Sequence, residues 1–274
     1  MKKQSYKKLF SLKDKNAVVT GGVGMLGRKF CRGLAEFGAN VAVVDVKARE
    51  AAVFAKELSG DYGVKAIGIG CDVSSKKSVQ VMAKLASDNL GAIHILHNNA
   101  ASQSRNLKAY FSKFEPYSEK EWRKEMSVNI DGMFLVAQAL GGRMAKSGGG
   151  SMIQTASIYG IMAPDQRIYE GSFYRGARMG SPAVYSASKG AVVALTKYLA
   201  AYWAPKGIRV NTLTPGGVQS GQNHAFVKKY SDRIPMKRMA QADEMVGALI
   251  FLASDASSYM TGHNLVVDGG LSAW

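Results

Sequence analysis

The chain has 274 residues, 47% of them hydrophobic and 20% charged, with 30 glycines. That balance builds a sizeable water-soluble core and excludes a disordered or collagen-like polypeptide. The 36 Lys and Arg against 20 Asp and Glu give a formal charge of +16, which attracts anionic partners without saying which: phosphate, carboxylate, nucleic acid or acidic lipid.

Residues 1–13 read as a basic arm. No apolar run of the kind found in a signal peptide follows its lysines, and a cytoplasmic location is expected. The longest apolar helical stretch, from Met245, is about half the ~20 residues a membrane crossing needs. Cys31 and Cys71 lack the CxxC spacing of a zinc or redox site, which fits a reducing compartment, and no metal is expected.

From residue 14 onward, apolar runs alternate with helical periodicity. Ala17 to Thr20 is a strand, followed by a glycine turn and a helix carrying Leu26, Phe30, Leu34 and Phe37. A second strand ends at Asp45, and a helix follows over 48–58 with Gly60 beyond it. Residues 65–71, 93–97, 151–155, 208–213 and 264–268 are further strands, and residues 75–89, 182–204 and 242–253 are further helices. Ser118 with Glu121 has capping-box spacing and predicts a long helix to about residue 140, broken by Gly148-Gly149-Gly150. Near-continuous apolar strands between amphipathic helices predict a single α/β domain over 14–274. Its doubly wound, mostly parallel sheet has about seven strands, and ligands gather at their carboxyl ends.

The first turn, Thr20-Gly21-Gly22-Val23-Gly24-Met25-Leu26-Gly27, sits between strand and helix, as in a Rossmann-type dinucleotide fold. Gly21 and Gly24 let the backbone approach a pyrophosphate, Gly27 lets the helix pack on the sheet, and the helix N-terminus supplies N–H groups. Asp45, 18 residues after Gly27, stands where the adenosine ribose hydroxyls are bound. Its charge disfavours a 2′-phosphate, so NAD is expected over NADP, with Lys47 as the opposing influence. Tyr185 and Lys189 are four apart on one helix face, and an ammonium near the phenol would lower its pKa toward the working pH.

In this order, the glycine turn, Asn98-Asn99-Ala100-Ala101, Asn129, Ser157, Tyr185 with Lys189, and Pro215-Gly216 make the chain resemble the short-chain dehydrogenase/reductase family over roughly residues 12–270. The resemblance implies a catalytic tetrad of Asn129, Ser157, Tyr185 and Lys189. It implies a cofactor site of Thr20, Gly21, Gly24, Met25, Leu26, Gly27, Asp45, Asp72, Val73, Asn99, Ala100, Tyr185, Lys189, Pro215, Gly216, Val218 and Ser220. It also implies a homodimer or homotetramer. Met25 departs from the glycine of the shorter, classical form of the turn and matches the spacing of the family's extended members. Ala101 replaces the usual glycine after Ala100.

Ser157 and Tyr185 stand 28 positions apart, more than that family usually has, so an extra loop, a substrate lid over about residues 159–182, is expected on the ligand side. Its Arg167, Arg175 and Arg178, with Arg105 in the preceding loop, suit an anionic substrate. This loop and the end of the chain resemble a bacterial subgroup linked to flagellin modification and surface-sugar synthesis. The expectation is an NAD(H)-dependent oxidoreductase interconverting a secondary alcohol and a ketone on a sugar-like or nucleotide-sugar substrate. Two alternatives stay open here: a nucleotide-binding protein that engages nucleic acid or an anionic surface, and a dehydratase or epimerase using bound NAD. The basic residues form no aromatic-interleaved stripe, so neither nucleic acid nor membrane is the expected partner.

Overall fold

The computed structural model describes residues 5–274 except 103 and 105. After a 3-10 turn over Tyr6–Phe10, Leu12 is buried against the first helix's end, with its N–H donated to the Phe37 carbonyl, so the arm's last residues belong to the fold. The first half runs β1 (Asn16–Thr20), α1 (Met25–Glu36), β2 (Asn40–Asp45), α2 (Ala48–Tyr62), β3 (Ala66–Gly70), α3 (Lys76–Leu90) and β4 (Ile95–Asn98). Then come the short α4 (Leu107–Tyr110), α5 (Glu119–Met126), α6 (Met133–Lys146) and β5 (Gly150–Thr155). A hairpin, β6 (Phe173–Tyr174) and β7 (Ala177–Arg178), precedes α7 (Ala183–Trp203), β8 (Ile208–Pro215), α8 (His224–Asp232), α9 (Val246–Ala253) and β9 (Asn264–Val267).

The sheet has seven strands in the order β3-β2-β1-β4-β5-β8-β9, with every neighbouring pair parallel. Alternation splits its core into two layers. Ala17, Val19, Val41 and Val43 pack toward α1, α2 and α9, while Val18, Ala42 and Val44 pack toward α3, α6 and α7. The strand order reverses between β1 and β4, and a crevice opens beyond their carboxyl ends, the usual ligand position in such sheets. Among the described residues no helix is long and apolar enough to cross a membrane.

Three local features differ from the sequence reading. Helix α2 continues through Gly60 and stops at Gly63, whose φ of 66° takes the left-handed C-cap conformation that glycine adopts without strain. Ser118 makes no side-chain cap, and the long helix predicted from it is interrupted by a π turn over Ser127–Gly132. A π turn inserts an extra residue into the helix and rotates its side chains, here at Asn129. Finally, the lid hairpin and α8 were not anticipated: both are short, and α8 sends Phe226 and Tyr230 into a third cluster with Ile158, Ile168, Tyr169 and Ile234 among others.

Candidate active site

The glycine turn is shaped by close backbone contacts. Gly21 has φ 64°, and a Cβ there would stand 3.0 Å from the Ala100 Cα; one on Gly27 would overlap the Gly21 carbonyl. Gly24 is the N-cap of α1, so the first N–H groups of a 12-residue helix face the crevice. Asp45, at the end of β2, accepts from the Val23 N–H at 3.2 Å and the Lys47 N–H at 3.1 Å. Lys47 itself is paired with Glu50 at 3.0 Å.

Thr20 is fully buried. Its hydroxyl accepts from the Asn99 and Ala100 N–H groups at 2.9 and 3.0 Å, and the Asn99 amide donates to its carbonyl. Thr20 and Gly27 therefore stand behind the turn and set its position, whereas Met25, Leu26 and Asn99 line the cleft. Asp72 holds the turn before α3 by accepting from the Ser74 N–H and hydroxyl, Ser75 being the helix N-cap, and Val73 is packed where a Cβ on Gly132 would meet it at 2.8 Å. On the far side Pro215, Gly216, Val218 and Ser220 follow β8 along the cleft, with the Ser220 N–H donated to the Gln222 side chain at 2.7 Å.

The residues of the expected tetrad arrive from three elements. Ser157 stands two residues beyond the end of β5, and its hydroxyl accepts from the Tyr159 N–H at 3.3 Å. Tyr185 and Lys189 project from the first turns of α7. That helix approaches so closely because Gly160 has no Cβ to strike the Lys189 backbone. The Lys189 ammonium donates to the Thr155 carbonyl at 2.9 Å and lies 6.0 Å from the Tyr185 ring centre. Asn129 is wholly buried. It accepts from the Ser102 N–H at 2.8 Å and donates to the Ser188 hydroxyl at 3.3 Å, while Ser188 donates to the Tyr185 carbonyl. The π turn thus fastens the α7 turn that carries Tyr185.

The electrostatics differ from the sequence expectation at one point. Burial pushes the Tyr185 phenol above its ordinary pKa, and the Ser157 hydroxyl pulls it only part of the way back. Lys189 does not offset that burial; desolvation instead lowers its own pKa to about 8. Desolvation outweighs the pairing because the ammonium spends its hydrogen bond on a neutral carbonyl. In this arrangement Tyr185 is a neutral acid at neutral pH.

The cleft has a volume of about 650 Å³, and Ser157, Tyr185 and Lys189 stand on its wall. The predicted arginines are not gathered there. Arg105 lies outside the described residues. Arg167 is 87% exposed and forms a two-pronged pair with Asp165 at 2.8 and 2.9 Å, an acid that also faces Arg233, so Arg167 has its partner within the lid. Arg178 is exposed on β7. Arg175 alone of the three lines the cleft, at the tip of the hairpin with φ 49°, its guanidinium 5.1 Å from the Tyr174 ring centre.

The lid is not a free flap. Lys229 on α8 donates to the Glu170 carbonyl at 2.7 Å, Asn223 exchanges hydrogen bonds with Phe173 and reaches Gly171, and Tyr169 stacks on Phe226 at 5.8 Å. Sequence reasoning missed Tyr230, Phe226 and Gln222 on this side of the cleft. The available signal was Asn223 as an N-cap, with Phe226 and Tyr230 four apart on the helix it starts.

Residues 24–272 match the family model described as enoyl-(acyl carrier protein) reductase. The chain is 36% identical over 266 residues to D-threitol dehydrogenase of Mycolicibacterium smegmatis, covering 95% of this chain and 94% of that one. It is 34% identical over 269 residues to a sorbose reductase of Schizosaccharomyces pombe, covering 96% and 97%. The structure of a gluconate 5-dehydrogenase from Burkholderia cenocepacia, in complex with NADP and tartrate, superposes with a TM-score of 0.85 at 35% identity, covering 97% and 98%. These relatives act on sugars and polyols, and the flagellin-modification subgroup is not represented among them. With this sheet order and this cleft, the chain belongs to the short-chain dehydrogenase/reductase family, as an oxidoreductase acting on CH–OH groups of the sugar and polyol type.

Proposed function

We propose that this chain is an NAD(H)-preferring dehydrogenase that interconverts a secondary alcohol and a ketone on a polyhydroxylated substrate, with room for a carboxylate. The observation that carries this reading is the meeting of Ser157, Tyr185 and Lys189 on one wall of a cleft that adjoins the glycine turn. The turn, with Asp45 and the 215–220 segment, would hold the dinucleotide, whose nicotinamide exchanges the hydride. Ser157 donates to the substrate oxygen, Tyr185 gives up its phenolic proton in the reducing direction, and Lys189 supplies the positive charge beside it. Asn129 keeps the α7 turn in register.

Cofactor preference rests on Asp45. Its carboxylate stands at the end of β2, and the neighbouring cation, Lys47, is held by Glu50. NADH should therefore bind more tightly than NADPH in a fluorescence titration, and Asp45→Ser should shift the ratio toward NADPH by about tenfold or more. Tighter NADPH binding by the wild type would overturn the assignment, and the NADP in the Burkholderia relative makes that comparison the first one to run.

The anionic part of the reading narrows to Arg175. Arg175→Ala should raise KM for a sugar acid about tenfold and leave KM for a neutral polyol unchanged, while Arg167→Ala should change neither. Equal effects on acid and polyol would show that Arg175 shapes the cleft without reading charge. A nucleotide sugar in the same assay tests the surface-sugar assignment, which is supported by the lid and the end of the chain alone.

A further inference from the structure

One wall of the cleft is built from phenols. Tyr159 follows Ser157 and Tyr169 lies on the lid, and the Tyr169 hydroxyl donates to that of Tyr159 at 3.3 Å. Tyr230 on α8 is only 3% exposed, and its hydroxyl faces Tyr159 but makes no hydrogen bond of good geometry among the described residues. All three line the cleft together with Tyr185. Buried hydroxyls are normally paired, because leaving one unpaired sacrifices its hydration for nothing.

The position of Tyr230 depends on its neighbours. Its ring packs on Phe226 at 5.4 Å and lies over Gly217, where a Cβ would overlap the ring and approach the hydroxyl to 2.9 Å. A side chain at 217 would push the phenol out of the wall. Burial holds all three phenols above their ordinary pKa, so each stays neutral and can both donate and accept. A substrate hydroxyl needs both capacities, whereas a carboxylate needs only donors.

We propose that the Tyr230 hydroxyl, with the Tyr159 and Tyr169 pair beside it, is a subsite for a second hydroxyl of the substrate, held while Ser157 and Tyr185 hold the reacting oxygen. It selects polyols over simple secondary alcohols. This rests on the reading of Ser157 and Tyr185 as the reacting centre, and it adds a specificity-determining residue on an element that carries none of the tetrad.

The test is Tyr230→Phe, assayed with a tetritol and a hexitol, each beside a deoxy counterpart lacking one hydroxyl next to the oxidised carbon. KM for the polyols should rise about fivefold or more, with kcat and the kcat/KM of the deoxy compounds unchanged. The Tm of the free variant should stay level or rise, because the deleted hydroxyl had no hydrogen bond of good geometry to lose; a residue that merely supports the fold would lower it. Unchanged polyol KM, or equal losses on polyol and deoxy compound, overturns the subsite alone. A wild-type enzyme that oxidises the deoxy compounds as well as the polyols also overturns it. If the wild type turns over neither series with either nicotinamide cofactor, the proposed function itself falls.

Discussion

Tyr185→Phe should lower kcat by about 10²- to 10⁴-fold, the usual worth of a positioned general acid, while the Kd for NADH stays unchanged. The substitution deletes one oxygen and leaves the ring that packs at the start of α7, so the fold and the glycine turn are untouched. Tyr159 and Tyr169 are hydrogen-bonded to each other, whereas the Lys189 ammonium stands beside the Tyr185 ring. The contrast is Lys189→Ala, which removes the ammonium from the Thr155 carbonyl and should lose turnover and NADH affinity together. Rapid-mixing kinetics with a fluorescence titration separates the two cases. A Phe variant with near wild-type turnover would place the proton donor elsewhere, and Lys189→Ala with normal NADH binding would confine Lys189 to the proton step.

What could be read from the sequence follows from which interactions are local. Strands such as Ala17–Thr20 and Val41–Val44 are apolar on both faces, which only a sheet covered on both sides accommodates, so their type and order were legible. The glycine turn was legible because three glycines at fixed spacing between strand and helix answer to one backbone path. Helix α8 and the lid hairpin were not, because each is short and is stabilised by the other: Asn223 serves as N-cap of α8 and as clasp for Phe173, and neither role shows in a window of sequence. The same reasoning explains the arginines. A charge count places Arg167, Arg175 and Arg178 on one loop, but the pairing of Arg167 with Asp165 two residues earlier and the turn at Arg175-Gly176 decide which of them faces the cleft.

The docking of the lid on α8 changes what its length means. A strap held by Lys229, Asn223, the Tyr169 stack and the Asp165–Arg233 pair cannot open by itself without breaking four kinds of contact. The lid and α8 are thus docked as one unit, and the segment between Gly217 and Gly221 leads into it. That segment is also the one that reaches Ser220 and Gln222 on the cleft. Lid, α8 and the phenol wall are thus packed in one cluster.

Acid should unfold this protein through His97. The ring is fully buried on β4 between β1 and β5, with Nε2 2.8 Å from the Thr155 hydroxyl, Nδ1 without a partner among the described residues and the Phe30 ring edge-on at 4.5 Å. Burial lowers its pKa to about 3, since a proton on Nδ1 would have nothing to bond to. The native state thus binds fewer protons here than the unfolded chain, whose histidine titrates near 6.5, so stability is held above pH 6.5 and lost as pH falls toward 3. The slope from this one group approaches 1.4 kcal/mol per pH unit and sums to about 5 kcal/mol at most. His97→Gln keeps a hydrogen-bonding group for Thr155 and removes the titration. Urea midpoints at pH 7, 6, 5 and 4 should fall less steeply for the variant than for the wild type, and the slope is the readout because Gln fills the site differently. Superimposable slopes would assign the acid sensitivity to the carboxylates. The consequence reaches catalysis, because the residue whose hydroxyl meets His97 is the one whose carbonyl holds Lys189: protonating the histidine loosens β5 at Thr155, two residues before Ser157, and turnover should fail along with the midpoint rather than after it.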